Sequence, residues 1–328
     1  MKLADANDGH RASYQSDPES KSAEAVFRDH FGQDWKAHFV FNGTAANVLG
    51  LQMLVEPFQS VLVAETSHLW NDECGAPQRI LGSALIPLRS PDGKLSPQIL
   101  NEALVRRGDQ HHTQIAAISI SQPTELGTVY SLQELRALGA FCKSMRLLLH
   151  IDGSRLANAA VATGATFSDL VADAAAVSFG GTKNGLLGAE AVLIHQNRVR
   201  EPDRARFFRK QLMQLPSKTR FLAVQFQAYL KDDLWRRIAY HQLQLASELR
   251  RQLEYITEIR ITQPTQSNCV FAQIPRGWIS KLREKHFFYV WNERTFECRL
   301  MLSWDSRKSD VDEFMSEIEK LRTNSGQD

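Results

Sequence analysis

The sequence predicts an α/β protein, a mainly parallel β-sheet covered by helices on both faces, followed by a small α+β domain. Three observations predict it. Short β-rich apolar runs, "AHFVF", "SVLVAE", "ALIPL", "IAAISIS", "LLLHID", "AAAVSF" and "AVLIH", recur between residues 37 and 195. Helical patterns lie between them, and strands alternating with helices build parallel sheets buried on both faces. After about residue 205 the texture changes to a long helical stretch and a short α+β tail.

Each element has a local cause. "TAANVLGLQMLV" follows the first strand as a helix. "SPQILNEALVRR" opens with Ser96 as N-cap before Pro97, and "SLQELRALGAFCKSM" begins with Ser131 and carries Glu134 as its capping-box partner. Cys142 fills the buried face of that helix. The pattern "RFLAVQFQAYLKDDLWRRIAYHQLQLASELRRQLEYI" is a long helix broken near Lys231 to Asp233, and "CVFAQI", "FFYVW" and "CRLMLSW" complete the tail. The expected division is an N-terminal segment over 1–20, a large domain over 21–220, and a connecting helix with a small domain over 221–328. No internal repeat or low-complexity tract stands out.

Composition bounds the function. With 328 residues, 43% apolar content and a formal charge of +2, the chain is long enough for one large and one smaller domain with a proper core. No segment is long and apolar enough to span a bilayer, and the first residues are polar with no apolar leader region. Cys74, Cys142, Cys269 and Cys298 are far apart without CxxC pairing, which suits a reducing compartment, the cytoplasm, and argues against structural zinc. The near-neutral charge leaves no footprint for nucleic acid; "RRQ" and "KLREK" read as solvated helix faces. His111 and His112 sit side by side in a polar loop without HExxH spacing, so no metal is expected.

Open α/β sheets bind ligands beyond the carboxyl ends of their strands, and five such ends carry unusual chemistry. In "FNGTAAN", Gly43, Thr44 and Ala45 open a helix whose free N–H groups suit a phosphate, although a tight turn and cap is the plainer reading. In "ETSHLWNDECGAP", His68 suits stacking and proton handling, or is a surface histidine. "SISQPTELGTVY" leaves Gln122, Thr124 and Glu125 beyond a strand, where Pro123 explains the turn alone. Asp152, ending the apolar run "LLLHID", needs a cationic partner, and Arg155 could be it. Lys183 sits among Gly180, Gly181 and Gly185; Asn184 after it excludes a P-loop, and an ordinary turn lysine is the plain alternative.

The combination says more than its members. An aspartate at one strand end, a lysine at the next and an anion-holding helix N-terminus earlier in the chain are what pyridoxal phosphate requires. Lys183 is expected to condense with the cofactor aldehyde, Asp152 to keep the pyridine nitrogen protonated, and Gly43, Thr44 and Ala45 to anchor the phosphate. The glycines should leave the ring room, and the apolar strand should keep the lysine desolvated.

The stretches "NGTAAN", "SHLWNDECGAPQ", "QPTELGTVY", "HIDGSRLANA", "SFGGTKNG" and "RLMLSWD" resemble the successive signatures of bacterial low-specificity L-threonine aldolases. These belong to the β-eliminating lyase branch of the fold-type I pyridoxal-phosphate enzymes, whose large domain is aspartate aminotransferase-like. The resemblance runs from about Gly9 to Phe314. It implies a small-molecule amino acid substrate and a homo-oligomer, dimer or tetramer, with active sites at the dimer interface. It further implies Lys183 on the cofactor aldehyde, Asp152 on the pyridine nitrogen, His68 stacked on the ring and Arg155 near the phenolic oxygen. Arg220 corresponds to a phosphate ligand, Arg299 to the residue that grips the substrate carboxylate, and Tyr14 to a substrate-binding position.

The implied reaction is retro-aldol cleavage of L-threonine or L-allo-threonine to glycine and an aldehyde, with His68 as first and Glu125 as second candidate base. Two alternatives stand beside it: a lyase that expels a β-substituent from another amino acid, and a weakly active homologue. The last is suggested by the missing N-terminal segment. The chain begins close to "NDGHRASYQSDP" without the preceding "FxSDN" segment of the family, and Gln15 replaces the usual glycine after Tyr14.

Overall fold

The computed structural model describes residues 2–325. All seven apolar runs are strands: β1 (Trp35–Val40), β2 (Gln59–Ala64), β3 (Ala84–Leu88), β4 (Gln114–Ser121), β5 (Leu148–Gly153), β6 (Ala176–Gly180) and β7 (Glu190–His195). They form one sheet in the order β1-β7-β6-β5-β4-β2-β3. Only β7 runs antiparallel to its neighbours. The connection 181–189 is too short for the crossover of a dozen or so residues that a parallel strand needs, so the chain returns as a hairpin, and that hairpin turn carries Lys183.

Side chains alternate across the sheet because strand Cβ atoms do. Leu62, Phe39, Phe179 and Leu193 face a layer built on the helices Pro18–Phe31, Leu132–Met145 and Arg220–Leu230. Val61, Val63, Val192 and Ile194 face the helix Gly43–Gln52 on the other side. The first layer is dense in aromatics: Phe27 meets Phe179 edge-on at 5.7 Å, and Phe31 stacks on Phe167 at 5.1 Å. Each fully buried phenylalanine contributes roughly 1.5–3 kcal/mol of transfer free energy.

The local signals hold with their caps. Ser96 accepts from Ile99 N, and Ser131 with Glu134 forms the full capping box. Cys142 is buried in the helix that box starts. The long helical pattern breaks where expected, with Asp232 and Asp233 both at φ 54 between the helices Arg220–Leu230 and Leu234–Leu253. One helix is shorter than its sequence pattern: Pro97–Ala103 stops before "LVRR", since Arg106 at φ 53 turns the chain and Arg107 donates to Met145 O. The helix Pro18–Phe31 is capped by Asp17, whose carboxylate accepts from Ser20 N.

The tail forms a second sheet, β8 (Arg260–Ile261), β9 (Cys269–Gln273), β10 (Tyr289–Asn292) and β11 (Glu297–Met301), in the order β10-β11-β9-β8. It packs with the helices Leu234–Leu253, Arg276–Arg283 and Lys308–Ser325 around its own apolar cluster. Among the described residues no helix is long and apolar enough to cross a membrane.

Candidate active site

The strand order explains why residues far apart in sequence converge. β6, β5, β4 and β2 are consecutive neighbours, all parallel, so Lys183, Asp152, Glu125 and His68 follow the carboxyl ends of adjacent strands. Their edge opens on a cavity of about 630 Å³ lined by His68, Glu125, Arg155, Lys183, Trp291 and Arg299, among others. A smaller recess beside it is lined by Gly43, Asn47, Asp152, Ser154 and Glu190, with His68 and Lys183 common to both.

Asp152 ends β5 in register between Ser121 and Ser178. It is 4% exposed and accepts from Asn47 Nδ2 at 2.9 Å and from Ser154 N at 3.0 Å. Burial works against its charge, but Lys183, Asn47 and the Ser154 N–H outweigh it, so the carboxyl lies below its ordinary range. Arg155, weighed above as its partner, is influenced more by Arg299 and Glu125.

Lys183 stands exposed to the cleft, with Nζ 3.4 Å from Ser154 Oγ. The Arg155 guanidinium, and then burial, lower its pKa, which favours a neutral, nucleophilic amine. Burial thus acts on the lysine in the direction expected from sequence, with a neighbouring cation ahead of it. The glycines are corrected in part. A Cβ on Gly180 would fall 2.3 Å from Ser154 O, so that residue is small to let two protein backbones pass, while Gly185 supplies the left-handed φ of 94 that ends the turn.

His68 donates or accepts at Nδ1 with Glu73 Oε1 at 2.9 Å, and Glu73 Oε1 also accepts from Asn47 Nδ2 at 2.8 Å. The hydrogen bond to Glu73 raises the pKa of His68 above its ordinary value, against burial. Burial raises Glu73 in turn. Across the cavity Arg299, on β11, meets Glu125 at 3.1 Å and lies over the rings of Trp291 at 5.3 Å and Phe271 at 5.9 Å. Burial opposes the charge on Glu125, yet Arg299, Arg155 and Lys183 together hold it below the usual carboxylate range.

At the start of the helix Gly43–Gln52 the Asn42 side chain accepts from Ala45 N. Of the three N–H groups expected to hold an anion, Ala45's is thus occupied by its own cap, which leaves those of Gly43 and Thr44. Two other positions are not brought to the cavity within one chain. Arg220 is buried, with Nε donating to Ala6 O at 2.7 Å. Tyr14 lies exposed with Lys210 over its ring, and Gln15 beside it has φ 68, a left-handed conformation held by its amide donating to Ala37 O at 3.0 Å.

Three polar residues of the site were not singled out from sequence. Asn47 and Glu73 lie inside the quoted "NGTAAN" and "SHLWNDECGAP" stretches, and Glu190 is the single charge in the apolar strand "EAVLIH". Glu190 accepts from Gly181 N at 3.1 Å, which anchors the Lys183 turn, and burial pushes its carboxyl up to about 7.

A lysine amine, a buried ionised carboxylate and an open helix N-terminus at the carboxyl edge of one parallel sheet define a lysine-centred enzyme of the open α/β class. The chain belongs to the β-eliminating lyase family, which it matches over residues 1–275. It is 37% identical over 316 residues to a low-specificity L-threonine aldolase of Pseudomonas sp., covering 95% of this chain and 91% of that one. A low-specificity L-threonine aldolase of Pseudomonas aeruginosa is 36% identical over 96% of this chain and 92% of its own. A threonine aldolase structure from Leishmania major superposes with a TM-score of 0.91 at 28% identity, covering 97% of this chain and 94% of that one. The α/β fold class expected from sequence and the resemblance to threonine aldolases both stand.

Proposed function

We propose that this protein is a pyridoxal-phosphate-dependent aldehyde-lyase that cleaves L-threonine, L-allo-threonine and related β-hydroxy-α-amino acids to glycine and an aldehyde. The observation that carries the reading is the convergence of Lys183, Asp152 and His68 on one cleft, in a chain whose threonine aldolase relatives match it nearly end to end. The residues present fit the cofactor. Asp152 is a buried carboxylate kept ionised by its neighbours, Lys183 is an accessible amine of lowered pKa, and the Gly43 and Thr44 N–H groups have no cap from Asn42. Asn47 Oδ1, beside them, is a buried polar atom without a partner among the described residues.

Pyridoxal phosphate, when bound, supplies an electron sink for a bond broken at Cα. Lys183 would hold its aldehyde carbon, Asp152 would keep a proton on its pyridine nitrogen, Arg155 would meet its phenolic oxygen, and the N–H groups of Gly43 and Thr44 would receive its phosphate. Arg299 binds the substrate carboxylate and so decides which bond at Cα is cleaved. His68, through Nε2, or Glu125 takes the proton of the β-hydroxyl. A loose fit beyond that hydroxyl explains breadth, since one methyl in a pocket discriminates by only about 1–3 kcal/mol.

The reading extends to organisation. The stretches 21–220 and 221–328 are two domains; separate sheets support the division, while the connecting helix Arg220–Leu230 packs into the first sheet's apolar cluster. The protein acts in the cytoplasm as a homo-oligomer, in which Arg220 and Tyr14 serve a neighbouring subunit's site. Exposed Leu187 and Met213 support such a contact face. The test is aldehyde release from L-threonine and L-allo-threonine with added pyridoxal phosphate, beside Lys183→Ala. Release by the parent alone sustains the proposal. Pyruvate and ammonia from serine, with no aldehyde from threonine, replaces it with β-elimination.

A further inference from the structure

The His68–Glu73–Asn47–Asp152 chain joins the two sides of the recess by three hydrogen bonds of 2.9, 2.8 and 2.9 Å. Its directions are fixed by chemistry. The Asn47 amide nitrogen can only donate, so Glu73 Oε1 and Asp152 Oδ2 both accept from it. As a carboxylate, Glu73 accepts at Oε1 from its other neighbour too, and His68 Nδ1 then carries the hydrogen that lies between them. That leaves Nε2 as the one ring nitrogen of His68 free to take up or release a proton. A carboxylate on one imidazole nitrogen sets the tautomer and balances charge on the ring.

We propose that Glu73 is a positioning residue that locks His68 in its Nδ1–H form and sustains its imidazolium charge, while Asn47 keeps the two carboxylates of the chain in register. Burial of Glu73 makes the effect strong: its side chain is fully enclosed while that of His68 is 30% exposed, so the ring rather than the carboxylate meets solvent and ligand. The other charged groups acting on His68 are Glu125 and Asp152, which favour its protonation, and Lys183, which opposes it. Arg155 and Arg299 line the same cavity and carry fixed charge. None of these touches Nδ1, so the tautomer depends on Glu73.

The catalytic consequence rests on the reading above that His68 faces the cofactor. The protonation itself does not, and it is measured on the cofactor-free full chain. Histidine nitrogen NMR should show His68 neutral above its pKa with the hydrogen on Nδ1. In Glu73→Gln, which keeps an acceptor without charge, the tautomer should persist while the His68 titration moves to lower pH. In Glu73→Ala both should be lost. A parent His68 with its hydrogen on Nε2, or a titration unmoved in Glu73→Gln, overturns the proposal; the parent tautomer needs no variant to fold. On the loaded enzyme, the limb of the kcat/KM profile set by His68 should move to lower pH in Glu73→Gln. A uniform loss at every pH with no movement of that limb assigns Glu73 a merely structural part and overturns it as well. Absence of aldehyde release from the parent, with the tautomer as stated, instead fails the aldolase reading alone.

Discussion

Glu73 and Glu125 are both buried carboxylates beside the cleft, 4% and 3% exposed, yet their titrations move in opposite directions. Glu73 has a histidine and an amide for company, and burial wins. Glu125 faces Arg299, Arg155 and Lys183, and three cations win over burial. Depth alone therefore does not set the direction in which a buried acid's titration moves; the fixed positive charges around it do. The two sides of the cleft are accordingly built differently, one as a hydrogen-bonded relay ending on a titratable ring, the other as a charge clasp between β11 and the loop after β4.

The strongest way to break the comparison is Glu125→Gln. Arg299, whose side chain is 11% exposed and whose Nε already lacks a partner among the described residues, then loses its counter-charge. Removing one member of a buried pair costs about 3–5 kcal/mol, so denaturant unfolding should show a loss of that size. Glu73→Gln should cost only about 1–2 kcal/mol, because an acceptor remains for Asn47 and His68. Equal losses in the two variants would erase the distinction.

The pH dependence sharpens it. His68 has a raised pKa, so its pairing with Glu73 stabilises fully below the ordinary value of 6.5 and is lost as pH rises through the folded value. Thermal melts of the cofactor-free protein should fall as pH rises over that interval, and Glu73→Gln should flatten the fall. Glu125 has a depressed pKa, so its contribution stands above the ordinary 4.5 and is lost as pH drops through the folded value. The acid decline should flatten in Glu125→Gln and not in Glu73→Gln. Cofactor binding should raise the melting temperature in both variants, since a ligand held only by the folded state stabilises it by mass action. The smallest effect is a control remote from the cleft: Ser131→Ala removes one half of a capping box and should cost about 1 kcal/mol without moving either pH limb.

Much of this was legible in the chain. The seven strands of the first sheet announced themselves as apolar runs, and the Ser131–Glu134 box and the break at Lys231 to Asp233 as local chemistry. Lys183, Asp152 and His68 were recognisable because each is a polar residue at or just past the end of an apolar strand, and Arg299 only through the family resemblance. Glu73 and Asn47 were not: a glutamate in a polar stretch and an asparagine in a helix opening look like solvated residues until the fold buries them. Ala45 was overestimated for the reverse reason, since its N–H looks free until Asn42 turns back on it.

The sequence by itself determined the elements, their order and the residue types able to do the chemistry, because strand period, caps and turn residues act over a few positions. Only the tertiary structure decided which of those residues meet and in which charge state. The antiparallel return of β7 sets the Lys183 turn beside Asp152, and the packing of β11 against the loop after β4 places Arg299 on Glu125. Electrostatics and hydrogen bonding act through space over a few ångströms, whatever the separation along the chain, so residues 174 positions apart form one ion pair.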